Sequence, residues 1–204
     1  MRTQHTVVTE PAALAVDLET AINHCRVDAQ PDIDLIELAY LPAAVRIVED
    51  YLARALITQT LRFTAATQLA ASSRVTENAF VSVPLTTNTL IELPRCPVQS
   101  VSSVTVSDHD GVSTTLTADT DYVLERSTDP TRIRLLNALS SWRSITVEYV
   151  AGYGPSASDI PTPIRQAILL VVNDLYSNRG DAAGDGLSNT VKALLSAYRV
   201  AYWG

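Results

Sequence analysis

The chain has 204 residues, 47% hydrophobic and 18% charged, an ordinary globular balance that excludes a largely disordered chain or a fibrous repeat. A length of this kind buries about 70% of the surface an unfolded chain exposes, so the core can be self-sufficient. With 15 basic against 22 acidic side chains and a formal charge of -7 it lacks a global footprint for nucleic acid, and because Lys192 is the only lysine, Walker-type phosphate loops and kinase strand lysines are excluded as well.

Composition divides the chain into three zones. Residues 1–55 carry nine acids and four Arg, residues 56–150 hold 28 of the 39 Ser and Thr, and residues 151–204 return to Ala, Leu and Val. The pattern reads helical, then strand-rich, then helical. The expected architecture is α+β: residues 1–56 and 151–204 form a helical bundle, and residues 57–150 form an inserted small antiparallel β domain.

Met1 to Glu10 carry charge early and no apolar stretch of signal-peptide length, so export by that route is not expected. Leu14, Leu18, Ile22 and Cys25 recur at helical spacing and predict a first helix from Pro11 to Cys25. A second begins near Asp32, with Asp34 and Glu37 at the positive end of its dipole and Arg46 and Arg54 toward the negative end. Leu35, Leu38, Val45, Val48 and Leu52 mark its buried side. Asp50 and Arg54 make an i,i+4 pair on its solvated face, and Pro42 must kink or restart it.

The middle zone changes period. Val104, Val106 and Leu116 flank the turn Asp108-His109-Asp110-Gly111, a hairpin signal in which Gly111 supplies the positive φ. A calcium site would need further oxygen ligands downstream, which the sequence lacks. Further strands are predicted at Leu61–Gln68, Thr89–Leu93, Asp121–Arg126, Arg132–Leu136 and Ser144–Tyr149, together one small antiparallel sheet. Its Arg126, Arg132, Arg134 and Arg143 are interleaved with Glu125, Asp129 and Glu148, which makes a mixed solvated face rather than a phosphate patch.

Ala151-Gly152-Tyr153-Gly154-Pro155 reads as a hinge-like break. Thr162 and Pro163 then open a helix that buries Ile164, Ile168, Val171, Val172 and Leu175 and ends at Gly180; Ser188 caps a last helix. Its longest aliphatic run, Ala167 to Val172, is far short of the ~20 residues a membrane span needs. The closing Tyr202 and Trp203 are either a lid on the core or an anchor for a partner. With Tyr153, Tyr198 and Arg199 they make the candidate partner interface.

Chemical signatures are lacking. There is no G-x-S-x-G, H-E-x-x-H, C-x-x-C or G-x-G-x-x-G, the three histidines His5, His24 and His109 show no ligand spacing, and Cys25 and Cys96 read as buried thiols. No catalytic residue, metal or cofactor is expected.

One ordered set of motifs adds to this. His24-Cys25-Arg26-Val27-Asp28, then Arg54-Ala55-Leu56-Ile57-Thr58-Gln59-Thr60, resembles the opening of phage head-tail connector (adaptor) proteins. Ile91 to Val101 with the following Asp108–Gly111 turn resembles the strand-rich insertion of their longer members. Tyr149 to Gly154, then Ile160-Pro161 and a helix running to Tyr176-Ser177-Asn178-Arg179, is similar to their last third. Pro42 interrupts a helix that the resemblance would make continuous, and Cys96 stands where the motif often has proline. The resemblance implies a non-enzymatic homo-oligomer, typically a dodecamer, that forms a ring under the portal protein of the virion. Such a ring docks a stopper or tail-completion protein, and double-stranded DNA passes through it without specific binding. Assembly is expected in the host cytoplasm, with no membrane involved. The alternative is a monomeric ligand-binding module with an α+β fold.

Overall fold

The computed structural model describes residues 2–66, 87–139, 142–178 and 187–200. The fold is α+β, with α-helices and two antiparallel sheets. The chain forms two compact units, a sheet unit of Met1–Glu10 with Gln59–Ala151 and a helical unit of Pro11–Thr58 with Gly152–Gly204.

In the sheet unit the strands are β1 (Arg2–Thr9), β2 (Gln59–Ala66), β3 (Leu90–Glu92), β4 (Val98–Ser107), β5 (Ser113–Thr115), β6 (Tyr122–Glu125), β7 (Arg132–Leu135) and β8 (Ser144–Ala151). They make a five-stranded sheet in the order β1-β2-β8-β4-β5 and a three-stranded sheet in the order β3-β7-β6, antiparallel at every pairing. Each strand predicted between Leu61 and Tyr149 is found within about two residues. The expected single sheet is two, because β3, β6 and β7 close on themselves: Ile91, Ile133, Leu135 and Tyr122 are buried together on a short sheet whose remaining positions are half-exposed or polar. Strand β8 alternates strictly, burying Ile145, Val147, Tyr149 and Ala151. Register carries that stripe sideways, with Val147 opposite both Phe63 of β2 and Val104 of β4. Period two and one buried face specify this register, since a slip by one residue would expose every apolar side chain. The predicted hairpin is present: Val106 pairs with Thr114, and the Asp108 carboxylate accepts from the amides of Asp110 (3.0 Å) and Val112 (2.8 Å) around Gly111 at φ 85.

One correction lies at the start of the chain. Residues 2–9, expected within the helical segment 1–56, form β1 beside β2, with Val7 opposite Leu61. The run Thr6-Val7-Val8-Thr9 is β-branched throughout, which fits a pleated edge better than a helix.

The helical unit contains α1 (Leu18–Cys25), α2 (Gln30–Leu35), α3 (Leu41–Leu52), α4 (Thr162–Asn178) and α5 (Asn189–Leu195), the last running into a 3-10 turn at Ser196–Tyr198. Helix α1 starts seven residues later than predicted, after an extended Asp17 at φ -64 and ψ 140, and Leu14 is accordingly 49% exposed rather than on its buried side. Ser188 caps α5 as expected, accepting from the Val191 amide at 3.3 Å. The predicted stop at Gly180 lies outside the described residues.

The second helix restarts at Pro42, as its missing donor requires, through a turn of π-helix at Ile36–Tyr40 joining α2 to α3. The Leu41 amide donates to the Ile36 carbonyl, five residues back. That wider turn moves the buried face: Ile36, Leu41, Ala44, Val48 and Leu52 are buried, stepping once by five. Leu38, expected on the buried side, is instead 79% exposed; Leu35 and Val45 are half-buried. The core these residues make with Ala21, Leu56, Ile160, Ile164, Ile168, Val172 and Leu195 holds the unit together, each large apolar side chain contributing about 1.5–3 kcal/mol.

The expected hinge at Ala151–Pro155 is a tight crossing. Gly152 sits at φ 136, and a Cβ there would lie 2.6 Å from the Ile57 carbonyl carbon and from the Thr58 nitrogen. Tyr153 N–H donates to Leu56 O and Thr58 N–H to Gly154 O, both at 3.0 Å. Two backbone segments pressed this close cannot swing freely, and only glycine fits the approach.

Candidate interface

The described members of the predicted interface converge on the turn that follows α3. Ala53 ends that helix in a left-handed conformation at φ 55, and the Arg54 amide closes back on Glu49 O at 3.1 Å. The chain then folds over the helix end, which buries Leu56 and would orphan its amide. Glu49, 6% exposed, supplies the acceptor: its Oε1 takes the Leu56 N–H at 2.9 Å. Arg54, 9% exposed, donates through Nε to the carbonyl of Tyr198. Val200 N–H donates to Leu52 O at 3.0 Å, so the segment from Tyr198 to Val200 is tied to this turn. Arg199 is exposed and lays its guanidinium 5.1 Å from the centre of the Tyr51 ring, a cation–π contact.

Tyr153 and Tyr198 are both half-buried against the helical core, and Tyr153 is also joined by its amide to Leu56. Tyr202 and Trp203 lie outside the described residues. Glu49, Tyr51 and Arg54 are not among the predicted interface residues, and Arg54 is expected on the solvated face of the helix. Arg54 stands past the left-handed residue that ends the helix, and Asp50 lies 3.8 Å from Arg46, one turn earlier. A readable signal was the apolar run Leu52 to Ile57 on either side of Arg54, which no solvated helix face would carry.

Three arginine–glutamate pairs lie on the sheets. Arg132 meets Glu92 at 2.8 Å, Arg134 meets Glu125 at 2.6 Å and Arg62 meets Glu148 at 2.5 Å, so the interleaved sheet is a mixed face. Cys25 and Cys96 are free thiols; burial pushes the Cys25 thiol up, and Cys96 accepts the Thr131 amide at 3.2 Å. Hydrogen bonds from the Ser156 backbone and hydroxyl hold the Asp159 carboxyl below its usual range. Among the described residues no group of three or more His, Cys, Asp or Glu could hold a metal ion, and no helix is long and apolar enough to cross a membrane.

A cleft of about 170 Å3 opens between the start of α1 and the first turns of α4, lined by Val16, Asp17, Thr20, Ala157, Thr162, Arg165, Gln166 and Leu169. Arg165 contributes one weak bond from Nη2 to Thr162 Oγ1 at 3.3 Å, while its Nε is buried without an acceptor among the described residues.

No family model and no curated protein matches this sequence. Solved structures do match its fold. A chain in the neck of an empty GTA particle, computed with C6 symmetry, superposes with a TM-score of 0.73 at 24% identity, over 98% of this chain and 97% of that one. A chain in the virion of a native gene transfer agent (GTA) particle gives 0.70 at 24% identity, and one in the neck of a native GTA particle computed with C12 symmetry gives 0.68 at 23%, with the same coverage. At this level of identity the likeness is one of fold, and it runs through both units of the chain from end to end.

Proposed function

We propose that the chain is a structural head-tail adaptor of a tailed phage or phage-like particle, a subunit of a ring beneath the portal that extends the DNA channel and docks the stopper or tail. The observation that carries this reading is the end-to-end likeness to particle-neck chains, 98% of this chain against 97% of that one. A shared domain would match one unit; here the match extends over both units. Neck structures computed with C6 and C12 symmetry support a ring of related multiplicity, the dodecamer being the form expected here.

Physical chemistry is consistent with the role. A closed ring of identical subunits needs two different, complementary patches on each copy. Each copy carries a formal charge of -7, so a ring of them is strongly acidic and adheres weakly to duplex phosphate, as a conduit for sliding DNA requires. The interface around Tyr153, Tyr198, Arg199, Tyr202 and Trp203 is the proposed surface for portal or stopper, with the exposed Arg199 and the half-buried Tyr153 and Tyr198 as its described anchors. No catalytic step or cofactor enters this reading. The particle neck is its site of action, and assembly takes place in the host cytoplasm.

Deleting the gene in the strain that makes the particles tests it. The expected outcome is DNA-filled or DNA-leaking heads without tails; tailed, infectious particles in normal number would contradict the role.

A further inference from the structure

A ring contact must join two patches that differ, and the helical unit carries a matched pair. The first is a knob. The π-turn at Ile36–Tyr40 turns Leu38 outward, 79% exposed, beside the exposed Glu37, which has no ion-pair or hydrogen-bond partner among the described residues. The second is the cleft between α1 and α4. Its volume of about 170 Å3 is of the order that accepts a benzene-sized apolar group (~150 Å3), and Val16, Ala157 and Leu169 give it apolar walls. Arg165 gives it a buried Nε–H that no described residue accepts.

The two are separate surfaces. The π-turn side of the unit meets the later part of α4, where Tyr176 packs edge-on to Tyr40 (6.4 Å) and donates to Asp32 (3.0 Å). The cleft is lined by Thr162 to Leu169, at least seven residues or roughly 10 Å earlier along the same helix. One copy therefore cannot fill its own cleft with its own knob, whereas a neighbour can.

We infer that successive copies in the proposed ring lock head to tail, Leu38 of one entering the α1–α4 cleft of the next while Glu37 pairs with the outer, half-exposed end of the Arg165 guanidinium. This rests on the ring reading and names the contact that makes the ring. The carboxylate at Glu37 answers the guanidinium charge at the rim, held within the chain by one weak bond to Thr162, and the isobutyl group answers the apolar walls. Asp17 also lines the cleft and opposes a second acid, which favours one carboxylate accompanied by an apolar side chain over a purely acidic partner.

The test uses the full chain in assembled particles. A Leu38→Cys, Gln166→Cys variant, altered at two exposed positions, is oxidised in purified particles and run without reductant. The expected result is a ladder of multiples of the chain up to the closed ring, with neither single variant giving one. Particles that contain the chain only as uncrosslinked monomer would overturn this contact and leave the ring reading standing. Wild-type particles from which the chain is missing by mass spectrometry would overturn both. As a second arm, Glu37→Arg and Arg165→Glu each reduce tailed particles at least tenfold, and the double variant regains them. A double variant no better than either single one counts against the pairing.

Discussion

Strand β8 and the helical stretch Gln30–Leu52 each bury one side of a regular element, yet only the first does so at the spacing its sequence suggests. In β8 burial repeats every two residues from Ser144 to Ala151, so Ile145, Val147, Tyr149 and Ala151 all point inward. In the helical stretch Pro42 removes an amide, the turn before it widens to five residues, and the buried set shifts from Leu38 to Ile36 and Leu41. A periodicity argument is sound as long as the hydrogen-bond step is constant. Where a residue forces that step to change, the apolar side chain left outside becomes informative about something other than the core.

Substitutions at the joins and on the two faces put this difference to measurement. The largest effect is expected at Gly152, where the regular ladder ends: Gly152→Ala forces a Cβ into the Ile57 backbone at positive φ and lowers unfolding free energy by roughly 4 kcal/mol in urea titration. A loss below ~1 kcal/mol would mean that the crossing is loose. Ile36→Ala should cost about 3 kcal/mol while Leu38→Ala changes stability by less than ~0.5 kcal/mol. Equal losses at the two sites would restore the uninterrupted α-helical register and remove the knob.

Next comes the turn after α3. Glu49→Ala leaves the Leu56 amide without its acceptor and is expected to cost about 2 kcal/mol, with Glu49→Gln, which keeps an oxygen, costing less. By contrast Glu92→Ala breaks a partly exposed pair with Arg132 in the sheet unit and should cost no more than ~1 kcal/mol. A ranking of Glu92 above Glu49 in thermal melts would contradict the division between buried and solvated charges. Asp159 gives the smallest and most diagnostic effect. Its carboxyl is held below the ordinary range by Ser156, so its stabilisation is present above the unfolded pKa and is lost as pH falls through the folded one. The melting difference between wild type and Asp159→Asn should therefore shrink on acidification; a difference that grows would reverse the sign.

Much of the architecture was legible from residue order. Alternation in β2, β7 and β8, the Asp108–Gly111 turn, the Ser188 cap and the restart at Pro42 all follow from local rules that the structure obeys. Strand β1 escaped because an edge strand exposed on most of its length has no apolar alternation, and only its β-branched composition marks it. The surroundings of the candidate interface residues were legible in part. Tyr198 and Arg199 do meet, through Arg54 and Tyr51, at one turn, but the role of Glu49 depends on a chain reversal set by a left-handed Ala53, a conformation that alanine rarely signals. The cleft at Arg165 was illegible for a different reason: it is made by residues from 16 to 169, and no local pattern announces that their helices meet.

The most direct measurement of the central claim is electron cryomicroscopy of the neck of particles from the producing strain. The account predicts a closed ring of this chain between head and tail, each copy showing the sheet unit and the helical unit, with Leu38 seated against its neighbour's α1–α4 cleft. A neck density that this two-unit fold cannot occupy, in particles from which the chain is absent by mass spectrometry, would contradict it.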